Sequence, residues 1–107
     1  MQKYIEILEF FKEILEDYKK LLNEKLDKFR APLIFQYRSE LQDVIDYFEE
    51  NKEIIPYSIY NEFKELMPTL EEIDNNMLDL FQDIKRLIGN INNYRSKYPK
   101  HHWWWYS

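Results

Sequence analysis

A chain of 107 residues is long enough for one domain with a thin core, and 45% hydrophobic beside 33% charged residues excludes a disordered chain. The absence of cysteine excludes a disulfide framework and thiolate chemistry, while one glycine and four prolines leave room for only a few long elements. The net charge of −5 is unevenly spread: five cations and no acid follow Asp83, so residues 84–107 carry +5 and residues 1–83 carry −10. That imbalance points to an anionic partner or to the acidic body of a neighbouring copy.

The first helix is expected over residues 2–30. Leu8, Leu15, Leu22 and Phe29 recur at one seam position, Tyr4, Phe11 and Tyr18 at the second, with Ile7, Ile14 and Leu21 beside them. So wide an apolar face belongs to a core helix. Ala31-Pro32 then predicts a tight reversal, because proline is tolerated in the first turn of a new helix and not in mid-helix. The second helix places Ile34, Tyr37, Leu41, Val44, Ile45 and Phe48 on one face and fades near Asn51. Its other face, with Glu40, Asp43, Asp46, Glu49 and Glu50, reads as a solvated acidic surface. Carboxylate metal sites on helices use inward-facing acids with histidine partners, and both histidines lie far away in sequence.

Pro56 starts a short third helix over 57–67, with Ile59, Phe63, Leu66 and Met67 inward, and Pro68 stops it. Thr69 with Glu72 reads as a capping box. A fourth helix follows over 70–98. Its heptads put Leu70, Met77, Ile84, Ile91 and Tyr98 at one seam position and Ile73, Leu80, Leu87 and Tyr94 at the other, with Phe81 and Ile88 widening the stripe. Gly89 falls opposite the seam, and the apolar stripe argues that the helix continues through it. The expected fold is all-α: an antiparallel bundle of three long helices plus one short one over residues 1–99, followed by an aromatic tail over 100–107.

All three tryptophans stand in that tail, as Trp103-Trp104-Trp105-Tyr106. Each buries about 150–250 Å², or about 4–6 kcal/mol at ~25 cal/mol per Å², so something must cover them. The bundle's own end, another protein or a second copy, single-stranded nucleic acid and a membrane interface are the alternatives. Adjacent histidines on an extended chain point to opposite sides, so His101-His102 is not read as a metal site. Arg95 and His101 have the Arg-x5-His spacing of HEPN-type ribonucleases, which are also small helical bundles. That resemblance covers two residues, and Pro99 breaks the helix that would present both.

No nucleophile–base pair or phosphate loop is visible, so no catalytic residue, metal, cofactor or small-molecule substrate is assigned. The expected function is non-enzymatic: an interaction or assembly protein that binds another protein, or itself as a homo-oligomer, through Trp103, Trp104, Trp105, Tyr106, Arg95, Lys97 and Lys100. The alternative is a nucleic-acid accessory protein using Lys85, Arg86, Arg95 and Lys97, with a helical ribonuclease as a distant third. Lys3, Glu6 and Glu9 interrupt what would be a signal peptide, and no apolar run reaches the ~18 residues of a membrane span, so a cytoplasmic protein is expected.

Overall fold

In the computed structural model, which describes residues 2–107, helices are the only regular structure. The first, α1 (Gln2–Asn23), buries Leu8, Phe11, Ile14, Leu15, Tyr18 and Leu22 at the three-and-four spacing of one helical face. It ends about two turns earlier than its periodicity suggests. The cause is Asp27, whose carboxylate accepts the Phe29 and Arg30 amides at 2.9 and 2.8 Å, while its carbonyl accepts the Ala31 amide at 2.9 Å. Those bonds start α2 (Arg30–Glu50) and close the reversal ahead of Pro32, which sits harmlessly in the first turn. The Arg30 amide, foremost, holds the Asp27 carboxyl below its ordinary pKa. Phe29, expected at the seam, therefore lies in the connection and is 74% exposed.

The returning α2 is buried on two sides. Ile34, Leu41, Val44 and Phe48 face the bundle as their spacing predicts, with Tyr37 and Ile45 half-buried beside them. Phe35, Arg38 and Ser39 are also buried, on a face that the apolar pattern does not mark. After Pro56 comes α3 (Tyr57–Glu65), which inserts Ile59 and Phe63, the latter stacked on Phe48 with ring centroids 4.4 Å apart.

The single seam helix expected over 70–98 is divided into three. Its first piece, α4 (Met67–Asp79), begins at Met67, since Pro68 suits a first turn. Thr69 thus lies inside the helix, and the expected capping box does not form: the start of α4 carries no side-chain cap bond. At Leu80 the backbone leaves helical geometry (φ −102°, ψ 4°), and α5 (Phe81–Ile88) continues. The buried set steps from Leu70, Ile73 and Met77 to Phe81, Ile84 and Ile88, a shift of one position that turns the apolar face. In consequence α4 packs chiefly on α1 and α5 on α2. The second break is Gly89, at φ +61°, ψ −49°. There the Asn90 amide donates to the Ile88 carbonyl, a γ-turn that L-residues adopt only with strain. It redirects α6 (Ile91–Arg95) and the tail behind it. Among the described residues no helix is long and apolar enough to cross a membrane.

Candidate functional site

The last turns of the chain fold back along α2, and the tail becomes part of the core. A 3₁₀ turn (Trp103–Trp105) places Trp104 and Trp105 in full burial and leaves Trp103 41% exposed. Of the coverings weighed for the tryptophans, the bundle's own surface takes these two. Trp105 is sandwiched between Tyr94 and Tyr98, with centroids 5.0 and 4.8 Å away and nearly parallel planes, and Phe35 meets it edge-on at 5.4 Å. Seam positions Tyr94 and Tyr98 therefore pack against the tail. Trp104 stacks on His102 at 5.0 Å and receives the Arg38 guanidinium over its ring at 4.7 Å.

One hydroxyl organises the polar atoms of this layer. Ser39 Oγ accepts the Trp105 indole N–H at 2.8 Å and the Trp104 N–H at 3.1 Å, and it lies 2.9 Å from His102 Nδ1. The Trp104 N–H also reaches the Phe35 carbonyl at 3.1 Å. The tail is further tied by Arg95, whose Nε donates to the Trp105 carbonyl at 2.6 Å, and by the Tyr106 hydroxyl, 2.6 Å from the carbonyls of Arg95 and Tyr98.

A chain of polar contacts runs from α1 to the tail through the middle of the molecule. The Tyr18 hydroxyl donates to Asp74 at 2.7 Å, and Arg38 Nε donates to both oxygens of the same carboxylate at 3.0 and 3.2 Å. Arg38 Nη1 then donates to Gln42, Gln42 to Asp46, and Asp46 Oδ2 accepts from His101 Nε2 at 2.7 Å. Burial opposes ionisation of Asp46, yet the bonds from Gln42 and His101 outweigh it and hold the carboxyl below its ordinary pKa. Burial likewise lowers the pKa of His102, against the opposing charge of Asp43.

The residues proposed from sequence as one binding surface thus separate. Trp104 and Trp105 are interior, and Tyr106 is half-buried. Arg95 is engaged by the Trp105 carbonyl and by Asn92, and Arg86 pairs with Asp83. Lys97 and Lys100 are exposed, and Lys85 lies over the Phe81 ring at 5.6 Å. Trp103 sits beside that ring at 5.5 Å. Arg95 closes α6 while His101 is bonded to Asp46, so the two do not share a helix as the ribonuclease spacing would require. The histidines themselves lie on the acidic face of α2, where Asp46, His101 and His102 bring potential metal-ligating atoms within 4.8 Å of one another.

Ser39, Arg38 and Asp74 escaped the sequence reading. The available signal was a serine and an arginine among apolar neighbours on α2, a pattern equally expected of a solvated turn. Compared with family models, curated proteins and solved structures, the chain matches none.

Proposed function

We propose that the protein is a non-enzymatic interaction subunit that docks a protein partner through the surface centred on Trp103. The observation that carries this reading is the division of the tryptophans: two are consumed by the core, and the third is 41% exposed on Phe81, with Lys85 over the same ring. An exposed aromatic anchor beside a cation is the composition of an interface hot spot. Lys97 and Lys100 add positive charge at the same end of the chain without an acidic partner among the described residues.

An acidic surface complements such a face, and the chain carries one in Glu13, Glu16 and Asp17 along α1, beside the Lys12–Glu9 ion pair. The partner we favour is therefore a second copy, the basic end of one on the acidic body of the next. A nucleic-acid partner is less well supported, since burial of Trp104 and Trp105 leaves one tryptophan for base stacking. Light scattering across a concentration series tests the reading. Association should weaken on the order of tenfold in Trp103→Ala and also with added salt, while the helical spectrum stays the same. Association that Trp103→Ala leaves intact, or a monomer at every concentration, contradicts it, and salt-steep binding of single strands would favour the nucleic-acid partner.

A further inference from the structure

The chain has only two histidines, and the fold sets both against the acidic face of α2. His101 Nε2 is 2.7 Å from Asp46 Oδ2, and His102 Nε2 is 3.5 Å from Asp43 Oδ1. Bonds of about 2.0 Å in a tetrahedral site hold ligand atoms about 3.3 Å apart. The ligand atoms of Asp46, His101 and His102 lie within 4.8 Å of one another, so the set contracts onto an ion by side-chain rotation.

His102 supplies an independent sign. Its ring is fully buried, yet Nε2 has no hydrogen-bond partner. The other nitrogen, Nδ1, is held by Ser39 Oγ at 2.9 Å. A serine oxygen offers two lone pairs; Trp105 takes one, and Trp104 has the Phe35 carbonyl as its alternative. When an ion takes Nε2, the Trp104 N–H keeps the Phe35 carbonyl and the second lone pair of Ser39 becomes available to Nδ1–H, while Nε2 faces Asp46 and His101 with Asp43 at 3.5 Å. A ligating histidine whose far N–H is fixed by a protein oxygen is a recurrent feature of metal sites. Gln42 does the equivalent for Asp46, donating to Oδ1 at 2.9 Å and leaving Oδ2 to face His101.

We propose that Asp46, His101 and His102 bind a divalent transition-metal ion of the zinc type, with Asp43, 3.5 Å from His102 Nε2, adding negative charge beside it. Two imidazoles with carboxylates suit zinc, cobalt or nickel, whereas magnesium and calcium take oxygen shells. The ion clamps residues 101–102 to α2 and so fixes the tryptophan layer that follows. It enters from the solvent side, where the His101 side chain is 56% and the Asp43 side chain 70% exposed.

Calorimetric titration of the chelator-treated full chain with zinc, repeated with cobalt to read its visible spectrum, tests the site. One ion should bind per chain, with a tetrahedral cobalt spectrum. His101→Ala, at the exposed rim, and Asp46→Asn, half-buried beside it, should each weaken binding on the order of tenfold or more with unchanged circular dichroism. Glu71→Gln, exposed on α4, should leave it unchanged. No saturable uptake at millimolar zinc would overturn the proposal. Uptake undiminished in His101→Ala and Asp46→Asn would overturn it equally.

Discussion

Replacing Ser39 with alanine removes one oxygen and strands two buried groups. The Trp105 indole N–H and His102 Nδ1 have no other partner, whereas Trp104 keeps the Phe35 carbonyl. Each buried polar group left unsatisfied costs about 1–3 kcal/mol, so Ser39→Ala should destabilise the fold by about 2–6 kcal/mol. That is a large share of the ~5–15 kcal/mol typical of a domain. With an m-value of about 1–3 kcal/mol/M, the urea midpoint should fall by on the order of 2 M. The assay is urea unfolding followed by both circular dichroism and tryptophan emission. Ser58→Ala, at an exposed position on α3, serves as the control and should stay within about 0.5 kcal/mol. A loss below about 1 kcal/mol in Ser39→Ala would refute the reasoning, because it would mean the indoles are not anchored through this hydroxyl.

Two further substitutions probe the interior and the chain reversal. Burial, with the charge and hydrogen bond of Asp74, raises the Tyr18 hydroxyl pKa far above its ordinary value near 10. The folded state holds this proton more tightly than the unfolded chain, so the contribution is complete below about pH 10 and lost above it, by up to ~1.4 kcal/mol per pH unit. Urea midpoints between neutral and strongly alkaline pH should fall less steeply in Tyr18→Phe; an unchanged slope would remove Tyr18 as the cause. Gly89→Ala should destabilise by about 1–3 kcal/mol, because φ is +61° while the space for a Cβ is open. A continuous helix through this position would instead gain about 1 kcal/mol, so the sign of the change in thermal or urea stability decides between the two geometries.

Burial was more legible in the sequence than continuity. The heptads over 70–98 correctly mark Leu70, Ile73, Met77 and Ile84 as interior, since apolar spacing reports which side chains leave water. Spacing does not report where the axis bends. The one-position shift to Phe81 and Ile88 fits a widened stripe as well as it fits a break at Leu80. Gly89 was the visible warning, but its lack of core contact matches both a helical glycine and a γ-turn. Phe29 shows the converse error: period alone placed it at the seam, while the bonds collected by Asp27 two residues earlier decide its exposure. The site was least legible because its parts lie far apart in the chain, 36 residues between Arg38 and Asp74 and 66 between Ser39 and Trp105. Ser39 meets the tail only once the chain has passed the breaks between α2 and the 3₁₀ turn, and His101 reaches Asp46 by the same route. Reading the histidines as an extended pair also failed: their rings stand 4.7 Å apart over one face of α2.

The central claim is that the tail is interior, and intrinsic tryptophan emission tests it directly, since every tryptophan lies within residues 103–105. Emission with acrylamide quenching should be recorded across a dilution series of the purified chain. The structure predicts a blue-shifted spectrum that persists on dilution, with quenching confined to the fraction contributed by Trp103. A red, water-like spectrum with all three tryptophans quenched together would contradict it.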